Sequence, residues 1–183
     1  LVLSSPVILL FSLMIYLEDQ GSIFYSQKRI GLNGKPFTIF KLRSMKMDAE
    51  KKGPQWASQK DKRITHIGKI IRKTRIDELP QLLCVIKGEM SLIGPRPERK
   101  EFEDKLEKEI PNYKTRHLIK PGISGWAQVN YPYGASLKDA ENKLSYDLFY
   151  IKNFSLFLVV LFLMRTISFV AYLRGSNPKL NCQ

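Results

Sequence analysis

Cysteine and histidine are both scarce in this sequence of 183 residues. The two cysteines, Cys84 and Cys182, give neither a disulfide framework nor the ligand spacing of a zinc site, and a reducing, cytosol-facing location is the simpler interpretation. The two histidines, His66 and His117, have no paired ligand nearby, so we interpret each as a structural or surface residue. These shortages argue against a disulfide-stabilised secreted domain and against a Cys/His metal centre.

Acidic residues are few relative to basic ones. The 17 Asp and Glu residues against 30 Lys and Arg residues leave a formal net charge of +13. Such an excess attracts polyanions, which include nucleic acid, anionic lipid headgroups and phosphorylated substrates. Charge alone does not choose among them, and a basic scaffold or nucleic-acid binder stays open as a second hypothesis. Because the sequence contains no recognised nucleic-acid-binding motif, we expect no nucleic-acid partner.

Charge is absent altogether from residues 1–17, which are almost wholly apolar. This stretch is slightly shorter than the ~20 residues that span a bilayer, and we expect a membrane helix truncated at its start, in a chain that lacks its upstream part. No small-residue cleavage site follows, which argues against a signal peptide. Pro6 has no backbone N–H, so one backbone carbonyl of a helix loses its hydrogen-bond donor. A hydroxyl such as that of Ser5 can donate to this carbonyl instead. The pattern fits a re-entrant helix and an ordinary kinked spanning helix equally well.

The rest of the chain predicts one domain followed by a second apolar segment. Residues 18–153 are basic and follow the first helix, so the positive-inside rule places them in the cytoplasm as the catalytic domain. Residues 154–173 are apolar but contain Arg165, whose insertion at a helix centre costs roughly 3 kcal/mol. This segment could span the membrane, lie in its interface or pack on the domain. Residues 174–183 form a polar tail.

Short-range patterns predict a β-hairpin and a loop after the first helix. Apolar residues alternate over residues 37–42, and Asn33-Gly34 is a typical hairpin turn. Residues 48–63 are polar and lysine-rich, which indicates an exposed loop or a frayed helix. Trp56 in this segment could stack on a sugar ring or simply pack against the protein.

A helix with one buried face is predicted within residues 70–98. Its apolar positions recur at i, i+3, i+4 and i+7, namely Leu79, Leu82, Leu83 and Ile86. Pro80 is tolerated only in a first helical turn, so it fixes the start of this helix, and Asp77 is the expected N-cap.

Two adjacent acids therefore occupy the positive end of the predicted helix. Asp77 and Glu78 lie where unpaired N–H groups favour anions and can help to hold a phosphate. Cations precede and follow them: Arg72, Lys73 and Arg75 before the acids, and Arg96 held between Pro95 and Pro97 after them. The alternative is that Asp77 is only a cap, Glu78 a solvated first-turn acid and the arginines their surface partners.

The run RKTRIDELPQLLCVIKGEMSLIGPRPE resembles the signature of bacterial sugar transferases, the monotopic polyprenyl-phosphate phosphoglycosyl transferases. Ser5-Pro6, KLRSM, PGISGWAQVNYPYGAS and LSYDLFYIKN extend the resemblance over nearly the whole chain, particularly to the longer members that initiate exopolysaccharide or capsule assembly. The resemblance implies a mainly α fold with a short β-hairpin, associated with the bacterial inner membrane through a re-entrant helix broken at Ser5-Pro6, with the catalytic face in the cytoplasm. A homodimer is compatible with it.

The resemblance also implies a reaction and its residues. Asp77 would attack the diphosphate of a UDP-sugar, release UMP and carry the phosphosugar to undecaprenyl or another polyprenyl phosphate, with Glu78 as companion acid or base. A covalent carboxylate intermediate divides such a transfer into two easier steps. Mg²⁺ would bind at Asp77 and Glu78, because it prefers carboxylate and phosphate oxygens. The expected substrate-binding residues are Arg72, Arg96, Lys41, Arg43 and Arg75.

Two departures from the family pattern are modest. Cys84 stands where the family often has asparagine, and Val159-Val160 replaces a more polar pair. Neither change touches the two acids.

Overall fold

The computed structural model describes residues 2–51, 53, 55, 61–131, 134 and 136–171, apart from the side chains of residues 156, 163 and 167–171. Trp56 and the predicted tail at residues 174–183 lie outside the described residues. In the described part, seven α-helices accompany two pairs of short strands. The prediction of a mainly helical fold with a short β-hairpin is therefore confirmed.

A short 3₁₀ turn, Val2–Ser4, leads into the apolar helix α1, Ser5–Asp19. Pro6 lies in the first turn of α1, and the Ser5 hydroxyl donates to the Val2 carbonyl oxygen at 2.8 Å. An α-helix would use that carbonyl to accept from residue 6, whose N–H the proline lacks, so the serine satisfies the freed group as predicted.

Most of α1 is not covered by the rest of the protein. Among the described residues, Val2–Asp19 is the one helical stretch whose length and apolar composition would allow it to cross a membrane, and 11% of it is buried. Core helices and signal sequences can share this length and composition. The low burial is unlike that of a core helix.

The predicted hairpin consists of β1, Phe24–Ile30, and β2, Pro36–Leu42, paired antiparallel from Phe24 opposite Leu42 to Ile30 opposite Pro36. Its turn lies where the sequence places it. Asn33 and Gly34 have φ values of 53° and 73°, the left-handed conformation that asparagine and glycine tolerate best.

The helix α2, His66–Thr74, packs on the end of the hairpin. Ile71 is fully buried in a cluster that also contains Leu42 of β2 and residues of α1. Close packing here requires glycine: a Cβ on Gly68 would lie 2.0 Å from the Ser44 carbonyl oxygen. The first helix, the hairpin and α2 therefore share one core.

A left-handed residue ends α2 and starts the turn that carries the two acids. Arg75 has a φ of 60°, and a 3₁₀ helix, Ile76–Gln81, leads from it into the short helix α3, Leu82–Ile86. The prediction that Asp77 is the N-cap is wrong. The cap position belongs to Arg75, whose left-handed backbone redirects the chain, and Asp77 lies within the first turn without a capping hydrogen bond.

The predicted buried face of this segment is also partly wrong. Leu83 and Ile86 are 42% and 71% exposed, whereas Cys84 is fully buried and its thiol contacts the Thr38 carbonyl oxygen at 3.4 Å. The cause is tertiary packing, because α3 turns Cys84 into a cluster with Ile39 and Met90, which leaves Leu83 and Ile86 on its outer face. Pro80 was expected in the first turn of this helix. It is instead the fifth of the six residues of the 3₁₀ helix, and α3 begins two residues after it.

A second pair of strands, β3 (Ser91–Ile93) and β4 (Gly122–Ser124), runs parallel and was not predicted. Strands of three residues are too short to show a periodic pattern. Their approach depends on two glycines, because a Cβ on Gly122 would lie 2.1 Å from the Gly94 nitrogen.

The C-terminal half is helical. It contains α4 (Lys100–Glu109), a 3₁₀ helix (Tyr113–Leu118), α5 (Trp126–Asn130), α6 (Leu137–Lys152) and α7 (Leu156–Ala171). The apolar helix α7 packs on the domain through Leu158 and Phe162, which are buried with Trp126 and Tyr150. Arg165 of α7 lies over the Trp126 ring, 5.4 Å from its centroid, and donates to the Asn130 side chain.

Candidate active site

Residues from three distant parts of the chain meet at Glu78. The turn Ile76–Gln81 packs against β2, and the Lys41 ammonium donates to Glu78 Oε1 at 2.8 Å. Arg96 follows β3 in the segment Gly94-Pro95-Arg96-Pro97, and its guanidinium donates to Oε1 and Oε2 at 2.5 and 3.4 Å. Charge-assisted hydrogen bonds of this kind are stronger than neutral ones, so the Glu78 carboxylate is held in one orientation.

Glu78 is an ionised and enclosed acid. It is 6% exposed, so the interpretation of this residue as a solvated first-turn acid does not hold. Burial by itself would raise the pKa of Glu78, but Arg96 and Lys41 outweigh that effect and hold the pKa well below its usual range. Arg75 adds a longer ion-pair contact of 3.8 Å. The carboxylate therefore serves as a fixed negative charge at neutral pH.

Asp77 has a different environment although it is the adjacent residue. It is 7% exposed, and its Oδ1 accepts no hydrogen bond from any residue in the described part of the chain. Burial first and the Glu78 charge second raise the pKa of Asp77 to about 6, while Lys41, Arg75 and Arg72 oppose the shift. A buried polar atom without a partner costs free energy, and a ligand that pairs with Asp77 Oδ1 would remove that cost. Of the two acids, Asp77 is therefore the one suited to bind a ligand.

The two acids border a large open cavity of about 1580 Å³. Its lining contains all of the predicted catalytic and substrate-binding residues, and basic residues outnumber acidic ones in it. The predicted residues are Lys41, Arg43, Arg72, Arg75, Asp77, Glu78 and Arg96. The volume exceeds the 300–1,000 Å³ typical of small-molecule sites, which suits an elongated polyanionic ligand. A positively charged, partly desolvated cavity concentrates such ligands.

One predicted substrate-binding residue has another partner. Arg43 lies in the cavity wall, but its guanidinium pairs with the Asp19 carboxylate at the end of α1 and not with Asp77 or Glu78. Arg72 lies in the wall near Asp77, where its charge lowers the pKa of that acid.

A buried charge pair behind the site was missed by the sequence reasoning. Arg116 lies 3.0 Å from Asp147 Oδ2 and donates to the Arg96 carbonyl oxygen at 2.7 Å, so it supports the backbone that presents Arg96. Burial raises the pKa of Asp147 to about 6, although Arg116 opposes that effect. One signal could have found this acid. Asp147 falls between Leu144 and Tyr150 on the buried face of α6, where a charge is out of pattern.

Of the two acids, Asp77 is the one whose donor atoms suit a hard divalent cation. Asp77 offers a buried carboxylate oxygen without a partner, and Mg²⁺ is commonly held by one or two carboxylates together with substrate phosphates. Glu78 fits less well as a metal ligand, because both of its oxygens already accept hydrogen bonds from cationic side chains.

The geometry suits covalent chemistry on a phosphate. The Asp77 carboxylate has one oxygen without a partner in the described part of the chain and a raised pKa, and its neighbour Glu78 anchors two cations beside it. An aspartate in such a place can act as a nucleophile toward phosphorus, while the cations compensate the negative charge of the phosphoryl group.

Comparison with known proteins identifies a family. The family model described as "Bacterial sugar transferase" matches residues 1–172. The chain is 41% identical over 172 residues to an uncharacterized sugar transferase, EpsL, of Bacillus subtilis (strain 168), covering 93% of this chain and 81% of that protein.

Two longer relatives have names that state a reaction. The chain is 50% identical over 165 residues to a UDP-N-acetylgalactosamine-undecaprenyl-phosphate N-acetylgalactosaminephosphotransferase of Aeromonas hydrophila, covering 90% of this chain. It is 40% identical over 157 residues to a UDP-glucose:undecaprenyl-phosphate glucose-1-phosphate transferase of Escherichia coli (strain K12), covering 85% of this chain. The matched regions span 39% and 34% of these two relatives, respectively.

Proposed function

Because the chain belongs to the bacterial sugar transferase family, we propose that it moves a sugar-1-phosphate from a UDP-sugar to a polyprenyl phosphate such as undecaprenyl phosphate. The products would be a polyprenyl-diphosphate-sugar and UMP, as in the first membrane step of exopolysaccharide or glycoconjugate synthesis. The observation that carries the proposal is the buried Asp77 carboxylate, with Oδ1 unpaired among the described residues, in a basic cavity beside the cation-anchored Glu78.

The reaction would run in two displacements at one phosphorus atom. An Asp77 oxygen attacks the phosphorus that bears the sugar, and the bond from that phosphorus to the oxygen of UMP breaks, so that UMP leaves with the electron pair. Asp77 then holds the phosphosugar as an acyl phosphate. An oxygen of the lipid phosphate attacks the same phosphorus, the bond to Asp77 breaks, and the carboxylate is regenerated.

The companion residues would stabilise charge on the reacting diphosphate. Glu78 stays ionised and keeps Lys41 and Arg96 beside Asp77, and Arg72 and Arg75 extend the positive wall toward the nucleotide. A Mg²⁺ ion held by Asp77 and the donor phosphates would neutralise diphosphate charge that otherwise repels an anionic nucleophile.

We further propose that α1 lies in the cytoplasmic membrane, broken at Ser5-Pro6, and that the cavity faces the cytoplasm. Three leucines of α1, Leu9, Leu10 and Leu13, are more than half exposed, which suits contact with lipid better than contact with water. Glu18 and Asp19 at the end of α1 belong to the cavity wall, so the cavity opens beside that helix. A lipid phosphate at headgroup level could therefore reach Asp77.

The proposal is tested by separating the two displacements. The enzyme, in detergent or bilayers with Mg²⁺ and without acceptor, is incubated with a panel of UDP-sugars that begins with UDP-N-acetylgalactosamine and UDP-glucose. We expect UMP release in an amount comparable with the enzyme and a phosphosugar mass on the peptide that contains Asp77. Added undecaprenyl phosphate should then remove the adduct.

Two aspartate variants distinguish chemistry from general damage. Asp77→Asn should abolish both the adduct and the UMP release. Asp104→Asn makes the same change at an exposed position of α4 and should leave both intact. Full transferase activity in Asp77→Asn would disprove the covalent mechanism.

A further inference from the structure

The last turn of α1 is acidic, although helix electrostatics disfavour acids there. Glu18 and Asp19 lie at the C-terminal end of the helix, where the unpaired carbonyls make a negative charge unfavourable. Both acids have partners outside α1, and those partners belong to two different elements of the catalytic domain. These contacts account for the two acids in the last turn of α1.

Glu18 joins α1 to the helix that leads to Asp77. Its two carboxylate oxygens accept from the backbone N–H groups of His66 and Ile67, at 2.6 and 3.2 Å. These are the first two residues of α2, whose N–H groups have no partner within their own helix and favour an anion. Because only Arg75 separates the end of α2 from the 3₁₀ turn, Glu18 connects α1 to Asp77 along a short path.

Asp19 joins α1 to the strand that holds Glu78. Arg43 donates to Asp19 Oδ2 at 2.9 Å and is 7% exposed. Arg43 comes two residues after Lys41, the partner of Glu78, and residues two apart on an extended chain point to the same side. The position of Gly21 leaves room for this pair, since a Cβ there would lie 2.6 Å from the Arg43 guanidinium.

We propose that Glu18 and Asp19 are positioning residues that align the Asp77–Glu78 turn with α1, so that the phosphate of a membrane-embedded acceptor reaches the phosphosugar on Asp77. This inference rests on the proposed function, including the placement of α1 in the bilayer. Two separate connections, one through α2 and one through β2, hold the turn at a fixed height relative to the helix. The donor arrives from the aqueous side, and its displacement step does not depend on that height.

The test compares the two displacements in Glu18→Gln and Asp19→Asn. UMP release without acceptor should fall much less than transfer does, because Glu18 and Asp19 are paired with His66, Ile67 and Arg43 and not with Asp77 or Glu78. Transfer to long-chain undecaprenyl phosphate in bilayers should fall roughly 10- to 100-fold, the range expected when a reacting group is misplaced by up to about 1 Å. A short-chain, water-soluble prenyl phosphate needs no alignment with the bilayer, and its use should be nearly normal.

Two further variants control for charge and for folding. Asp104→Asn removes one exposed acid from α4 and should change neither displacement. Asp19→Glu keeps the carboxylate opposite Arg43 and should restore most of the transfer that Asp19→Asn loses. Thermal unfolding verifies that each variant is folded. If Glu18→Gln does not fold, the comparison of Asp19→Asn with Asp19→Glu tests the inference by itself.

Three results would overturn the inference: equal loss of both displacements, equal loss with long-chain and short-chain acceptors, or no loss with either. Failure of the wild-type enzyme to release UMP from any donor would instead overturn the proposed function. The two failures are therefore distinguishable.

Discussion

Replacing Glu78 by glutamine tests whether a buried negative charge holds the site together. The substitution keeps the shape of the side chain but removes the charge that faces Lys41 at 2.8 Å and Arg96 at 2.5 Å. Removing one partner of a buried ion pair costs about 3–5 kcal/mol, because the remaining charge is left without compensation. A domain is stable by about 5–15 kcal/mol, so the variant should fold but unfold much more easily.

The same substitution should change the titration of the neighbouring acid. Burial and then the Glu78 charge raise the pKa of Asp77 to about 6. Without that charge, the pKa of Asp77 should fall, and the pH below which UMP release declines should move down with it. Activity at neutral pH should also drop, since Lys41 and Arg96 are no longer held beside the diphosphate.

Denaturant unfolding in detergent and UMP release as a function of pH measure both effects. Glu101→Gln is the matched control, because Glu101 also pairs with an arginine, Arg99 at 3.7 Å, but is 58% exposed. Its loss should cost no more than about 1 kcal/mol. If the two variants lost similar free energies of unfolding, or if the acid limb of the pH profile did not move, our view of Glu78 as the anchor of the site would be refuted.

Two further predictions concern pH and packing. In the wild type, UMP release should decline as the pH falls through about 6. The proposed nucleophile, Asp77, must be ionised to attack, and its raised pKa keeps it protonated below that pH, so a flat profile down to pH of about 4 would contradict the proposal. Gly122→Ala should lower the free energy of unfolding by about 1–3 kcal/mol, because the new Cβ would lie 2.1 Å from the backbone nitrogen of Gly94. Unchanged stability in thermal unfolding would contradict this and show that β3 and β4 can move apart without cost.

Local signals in the sequence predict local structure well. The Asn33-Gly34 turn depends on the backbone preferences of two residues, and it is found where the sequence places it. The contact of Ser5 with the Val2 carbonyl has the same origin, since a missing N–H at Pro6 is compensated within one turn. Such features need no knowledge of the tertiary fold.

Features that depend on partners distant in the sequence were predicted less well. The periodic pattern placed Leu83 and Ile86 on a buried face, but packing of Cys84 against Ile39 and Met90 leaves both exposed. The parallel strands and the Arg116–Asp147 pair join segments about 30 residues apart, and no spacing rule in a single sequence relates them.

The different environments of the two neighbouring acids follow from the geometry of the turn that carries them. Consecutive residues in a 3₁₀ helix, at three residues per turn, point about 120° apart, so Asp77 and Glu78 cannot share the same surroundings. Glu78 faces the cations of Lys41 and Arg96, which fill its acceptor sites and lower its pKa. Asp77 borders the cavity without a partner for Oδ1 among the described residues, and its pKa is raised. Because the order of the two residues decides which carboxylate meets the cations, the acid that is anchored by them cannot also be the one that is left open to a ligand.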